Sequence, residues 1–237
     1  MAPSSKTALL LGAGGGLGRA VHARLREDGW AVIATDVAEL DLSKPGVVAS
    51  FIKDSWEANA GFDALVHCAG LYPAHRVVDT TEEIFDRVMN VNTRSALISG
   101  AEYARLCGSH RRSGSMVFVS SGAARRARPG TTAYAASKAA LEAVVRGLAL
   151  ETAALGLRCN AVAPGFVDVG SELSPVPPAY IEQMAAASPQ GRVAQAADIV
   201  PVIAWLLGDE AAWVNGQSIP VDGGDSIGTR NAPNWLG

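Results

Sequence analysis

The chain has 237 residues, 49% of them hydrophobic, with a formal net charge of −3 and a pI near 5.8. That length buries a core in a single α/β domain spanning 1–237, and so slight a charge recruits no nucleic acid. The longest apolar stretches, such as Ala31–Ala34 and Val200–Leu207, fall well short of the roughly 20 residues of a membrane span, so no membrane partner is expected.

The N-terminal Met-Ala-Pro-Ser-Ser-Lys runs into an apolar segment with no signal-peptide core of about 7–15 apolar residues, which predicts a cytoplasmic protein. Apolar, β-rich runs then recur at Thr7–Leu11, Ala31–Thr35, Ala64–Cys68, Met116–Ser120, Leu157–Val162 and Ser218–Val221, separated by segments of helical period. Near-continuous apolar strands alternating with helices predict a Rossmann-like doubly wound parallel sheet covered on both faces. Leu17, Ala20, Val21 and Leu25 form an apolar stripe on the first helix, and Ile199, Ile203, Leu206 and Leu207 form another near the end. Cys68, Cys107 and Cys159 lie in apolar contexts without metal-ligand spacing, so free thiols are expected, with no disulfide and no metal site.

Between the first strand and first helix lie Gly12, Gly14, Gly15, Gly16, Leu17 and Gly18. Glycines there permit a tight turn and close backbone approach to a pyrophosphate, and a helix N-terminus offers it unpaired N–H groups. Asp36 closes the second strand about 20 residues downstream, where a ribose hydroxyl needs an acceptor. The alternative role of Asp36 is to cap a strand end. A carboxylate there repels a 2′-phosphate, and neither Gly15 nor Val37 supplies a compensating cation, so NAD is expected rather than NADP. Asp41 either receives the adenine amino group or caps a helix starting near Ser43. The interval from Asp36 to Asp41-Leu42 is too short for a crossover of a dozen or more residues, so the edge strand is expected to be reduced or missing.

Further along, Ser121 follows the fourth strand, and Tyr134 and Lys138 stand four apart on a helix. Four residues put both side chains on one helical face. A phenol near pH 10 then has a cation beside it to bring its proton exchange toward neutrality. Removing a hydride from a secondary alcohol requires taking up the hydroxyl proton, and the reverse requires a donor already in place; Tyr134 and Ser121 suit those roles. The plainer alternative is an interfacial tyrosine beside a solvated lysine.

With these residues in place the chain resembles the short-chain dehydrogenase/reductase family. The resemblance runs from Gly12–Gly18 through Asn92, Ser121, Tyr134-Ala-Ala-Ser-Lys138 and Pro164-Gly165 to Val221-Asp-Gly-Gly224. It implies that Ser121 binds the substrate oxygen, that Tyr134 moves the proton, and that Lys138 lowers the tyrosine pKa and holds the nicotinamide ribose. It implies that Asn92 holds a water relaying protons to Lys138, although Asn92 alone could equally satisfy backbone groups at a helix irregularity. Cofactor contacts are implied for Leu42, Cys68, Ala69, Gly70, Pro164, Gly165 and Val167, beside the glycine loop, Asp36 and Asp41. A homotetramer acting on a small-molecule alcohol or ketone is likewise the family's implication.

The chain departs from the family pattern at Leu11, where a threonine is usual, and at His67-Cys68, where two asparagines are usual. An exchange of a polar link for apolar contact between Leu11 and Cys68 is the expectation, with His67 a satisfied buried histidine or a residue facing the cofactor. Val169 replaces a threonine that bonds the carboxamide, leaving Ser171 or the backbone of Phe166 and Val167 to serve. Residues 170–195, with Leu173, Val176, Tyr180, Ile181 and Met184, read as a lid with an apolar face. Arg125, Arg126 and Arg128 read as solvated loop charges, with recognition of an anionic substrate as the alternative. Tyr72 and His75 are candidate pocket walls or ordinary loop packing. The tail 225–237, with Asn231, Pro233 and Trp235, is expected to pack on its own pocket or a neighbouring subunit. Besides the NAD-dependent alcohol dehydrogenase, the sequence leaves an NADPH ketoreductase and a non-catalytic nucleotide-binding regulator as alternatives.

Overall fold

The computed structural model describes residues 6–170 and 176–228. Six parallel strands form the main sheet in the order β2-β1-β3-β4-β5-β8: β2 (Ala31–Thr35), β1 (Thr7–Leu11), β3 (Ala64–His67), β4 (Gly114–Val119), β5 (Leu157–Pro164) and β8 (Ser218–Val221). The two-residue period of a strand sends successive side chains to opposite faces. Leu9, Leu11, Leu65, Met116 and Phe118 accordingly meet α2 (Val47–Ala58), α4 (Ser95–His110) and α5 (Thr132–Thr152) on one face. Ala8, Leu10, Val66, Val117 and Val162 meet α1 (Gly16–Glu27) and α7 (Ala196–Leu207) on the other. Each such leucine or valine, fully buried, contributes about 1.5–3 kcal/mol.

The predicted stripes face these cores. Ile199, Ile203, Leu206 and Leu207 are all buried, as are Val21 and Leu25, with Leu17 and Ala20 packed at the margin. Residues 36–46 run through turns without helix or strand, and β2 is the sheet's edge. α2 begins at Val47 with Gly46 as its N-cap, so Asp41 does not cap a helix. Its carboxylate accepts instead from the backbone and hydroxyl of Ser43, at 3.0 and 2.6 Å, and these bonds hold its pKa below the usual carboxylate range.

A second, two-stranded ladder joins β6 (Val167–Asp168) to β7 (Ala194–Gln195). It ties together the base of the predicted lid, whose helix α6 (Pro178–Ala187) has no buried residue. Of the lid, 171–175 lie outside the described residues, Ser171 and Leu173 among them, and so do Asn231, Pro233 and Trp235 of the tail. No helix among the described residues is long and apolar enough to cross a membrane. The three cysteines are free, Cys107 and Cys159 buried and Cys68 half-buried.

Candidate active site

The predicted residues gather at the C-terminal ends of the strands, where an open parallel sheet leaves a crevice for ligands. The turn after β1 is held by the amides of Gly12 and Ala13, both donating to Thr35 O at 2.9 and 3.0 Å. Gly12 has φ +82°, a conformation favouring glycine. A Cβ on Gly12 would lie 2.5 Å from Ala69 N, and one on Gly18 would lie 2.0 Å from Gly12 O. A Cβ on Gly16 would lie 2.4 Å from Val169 O, so the segment after β6 crosses directly over the loop. Gly15 caps α1 with no side-chain bond to its first turn. Those amides are available to an anion, and the helix dipole favours one there.

A Cβ on Gly14 would sit 1.7 Å from Asp36 Oδ2, so the Asp36 carboxylate lies against the glycine loop. Asp36 Oδ1 accepts from Val37 N at 2.7 Å, and Glu39 Oε2 accepts from Asp36 N at 2.9 Å. Two carboxylates therefore share this corner, where the sequence pointed to one. Thr35 Oγ1, the buried side-chain polar atom without a partner among the described residues, belongs to the same strand end. Buried polar atoms are rarely left unpaired. The glycine cradle, open helix N-terminus and acidic corner fit a dinucleotide, which supplies hydride transfer when bound.

Ser121 follows β4 and accepts from Ala123 N at 3.1 Å, which leaves its hydroxyl proton free to donate. Tyr134, on the first turns of α5, has the Ser121 hydroxyl and the edge of the Tyr72 ring beside it; the two tyrosine rings are perpendicular with centroids 4.7 Å apart. Burial pushes the Tyr134 pKa up to about 12, the Ser121 bond opposes that, and Tyr72 adds to it. Lys138 is buried, donates from Nζ to Val119 O at 2.7 Å, and stands 5.7 Å from the Tyr134 ring centroid. Its own pKa falls to about 8 because the charged amine is desolvated, an effect Cys68 partly opposes. Burial is thus the largest influence on the Tyr134 phenol in the chain alone, and the opposing influence comes from the Ser121 hydroxyl.

Asn92 lies in a π-turn, Asn90–Arg94, between α3 (Glu82–Met89) and α4. Its Oδ1 accepts from Leu71 N at 2.7 Å, while Nδ2 donates to Leu71 O at 3.0 Å and to Ser137 Oγ at 2.9 Å. The side chain thus clamps the backbone that presents Tyr72. A Cβ on Gly70 would lie 3.4 Å from Lys138 Nζ and 3.5 Å from Asn92 Oδ1, so only a small residue brings those groups together. Gly165 donates to Val221 O at 3.2 Å, and its Cβ would lie 3.0 Å from Asp222 Cα, which joins Pro164-Gly165 to the last strand's motif.

One expectation fails. Leu11 and Cys68 pack on opposite faces of the sheet, so no apolar contact joins them; the register sets Leu11 beside His67, and Cys68 N donates to Leu11 O at 2.9 Å. His67 is buried with Nε2 2.7 Å from Ser95 Oγ, whose proton goes to Val91 O, so the imidazole donates. Burial and Lys138 push its pKa down to about 3, making it a neutral packed histidine. Arg125 and Arg126 are exposed loop charges, as read, though both are hydrogen-bonded, and Arg128 is half-buried. Arg125 pairs with buried Glu142 and donates to Ser218 O, Arg126 donates to Asp225 O, and Arg128 pairs with Asp225. A cavity of about 260 Å³ lies behind the lid between Phe166, Met184 and Asp222, and Tyr134 is not on its wall. Sequence spacing gave no sign of Glu39, since its contact with Asp36 depends on the turn after β2.

A Rossmann-like sheet carrying this crevice defines an oxidoreductase built to hold a nicotinamide dinucleotide. The chain belongs to the short-chain dehydrogenase/reductase family: the family model described as enoyl-(acyl carrier protein) reductase matches residues 31–226. A short-chain dehydrogenase/reductase of Armillaria gallica is 31% identical, over 92% of this chain and 95% of the relative. The NADPH-dependent aldehyde reductase-like protein, chloroplastic, of Arabidopsis thaliana is 38% identical, over 79% of this chain and 70% of its own. The solved structure of the angucycline C-6 ketoreductase LanV with bound NADP superposes with a TM-score of 0.82 at 28% identity, covering 94% of this chain and 96% of that one.

Proposed function

We propose that this protein is an NAD-dependent dehydrogenase interconverting a secondary alcohol, cyclic alcohols and diols included, and its ketone. The observation that carries the reading is the meeting of Ser121, Tyr134 and Lys138 at the end of β4, in one crevice with the glycine loop. Tyr134 moves the hydroxyl proton, Ser121 donates to the substrate oxygen, and Lys138 binds the ribose. Asn92 keeps the Leu71–Tyr72 backbone in place beside them. A nicotinamide held in the crevice would supply the hydride exchange with the substrate carbon.

NAD is chosen over NADP because Asp36 and Glu39 crowd two carboxylates where a 2′-phosphate would sit. The second reading, an NADPH-dependent ketoreductase, is favoured by the Arabidopsis relative's name and by the NADP in LanV. Titrating NADH and NADPH against the purified protein, following nicotinamide fluorescence, separates the two. Tight NADH and weak NADPH are expected, and Asp36→Ala narrows the gap. NADPH preference selects the ketoreductase, and binding of neither defeats both. The reading further takes the chain as one domain, cytoplasmic and homotetrameric; a monomer in sedimentation at working concentration would contradict the tetramer.

A further inference from the structure

The three arginines between Ser121 and Tyr134 differ in what they hold. Arg125 Nε lies 3.3 Å from Glu142 Oε2, and its Nη2 donates to Ser218 O at 2.9 Å. Arg126 donates to the carbonyl of Asp225. Both are committed to fastening the loop against the last strand and the segment after it. Arg128 is held more loosely. Its Nη2 stands 3.5 Å from Asp225 Oδ2, the longest arginine–carboxylate pair among the described residues. Its Nη1 faces the thioether of Met184 at 3.7 Å, and a thioether is a weak acceptor.

Arg128 stands between the lid helix and the tyrosines that adjoin Tyr134. Met184 belongs to the lid helix α6, where Tyr180 meets Phe166 edge-on at 5.7 Å. Arg128 and Tyr180 are both near enough to the Tyr72 phenol to act on its charge, and Tyr72 in turn abuts Tyr134. The Arg128 side chain is only 30% exposed, so its charge is partly stripped of water while its one carboxylate partner, Asp225, stands at 3.5 Å. A guanidinium in that condition gains most from a carboxylate that meets its planar fork with two parallel hydrogen bonds.

We propose that Arg128 is a specificity-determining residue of this site, receiving a carboxylate carried by the substrate at the end remote from the carbinol that Tyr134 serves. The proposal rests on the dehydrogenase reading above and narrows its substrate to hydroxy acids and keto acids. Asp225 is the internal stand-in, shared or displaced when the substrate arrives.

The test uses the protein saturated with NADH, titrated calorimetrically with hexanoate and with its neutral isostere hexanamide. Hexanoate is expected to bind at least about 10-fold tighter, a difference that charge-assisted bidentate pairing readily supplies. Arg128→Gln erases that preference, Arg128→Lys retains part of it, and Asp225→Asn tightens hexanoate by removing its competitor. Equal affinities, no detectable binding of either probe, or a hexanoate preference surviving Arg128→Gln overturn the assignment. Should Arg128→Gln fail to fold, Asp225→Asn decides, since unchanged hexanoate affinity there is equally fatal. The NADH titration alone reports on the dehydrogenase reading: NADH binding without carboxylate preference defeats only the Arg128 assignment, whereas absence of NADH binding defeats both.

Discussion

The Tyr134 phenol, packed between the Ser121 hydroxyl and the Tyr72 ring, keeps its proton well past neutrality in the chain alone. A protonated phenol is a ready donor to a developing alkoxide. Tyr134→Phe removes that proton and little else, so turnover is expected to fall at least about 10²-fold while NADH affinity stays nearly constant. Steady-state kinetics beside a binding titration check this, and retained turnover would release Tyr134 from the role. Ser121, Tyr134 and Lys138 were legible in the sequence because a strand end and one helical turn bring them together locally. Tyr72 and Arg128 enter from separate loops, and only the Asn92 clamp on Leu71 and the contacts of Arg128 with Met184 and Asp225 bring them to the same wall.

The β1–α1 turn separates two glycines that look alike in sequence. A methyl group on Gly18 meets the backbone oxygen of Gly12 at 2.0 Å, which cannot yield without moving the turn. Gly18→Ala should therefore destabilise the protein by about 1–3 kcal/mol, measured by urea unfolding, and weaken NADH with it. A methyl group on Gly14 meets only the carboxylate end of Asp36, a side chain that rotates away. Gly14→Ala should leave the unfolding midpoint nearly unchanged while shrinking the proposed preference for NADH over NADPH. A large loss of stability from Gly14→Ala would show that Asp36 is fixed there. The main strands were legible from their unbroken apolar runs, whereas β6 and β7, two residues each, have no periodicity to read. The sheet's alternation also explains the failed Leu11–Cys68 contact: adjacent strand ends share a register, but odd and even positions face different cores.

Across the whole molecule, acid sensitivity should register at the sheet's centre. His67 is buried and neutral with a pKa near 3, against an ordinary 6.5 in the unfolded chain. Below pH 6.5 the unfolded chain binds a proton that the folded chain refuses, so its contribution to stability is lost as pH falls from 6.5 toward 3. The slope is at most about 1.4 kcal/mol per pH unit. Urea midpoints across pH 7 to 4 should fall less steeply for His67→Asn, which keeps a donor toward Ser95; parallel slopes would assign the acid loss to other groups.

The acidic corner stands at the margin of the structure. β2 pairs on one side only, and Val37 and Glu39 beyond it are exposed. Substitutions at Asp36, Val37 and Glu39 consequently leave both cores untouched, apart from the anchoring leucines Leu40 and Leu42. On the proposed function, cofactor choice is thereby set by a few exposed positions at the sheet's edge, which can be exchanged without disturbing Ser121, Tyr134 and Lys138 at its centre.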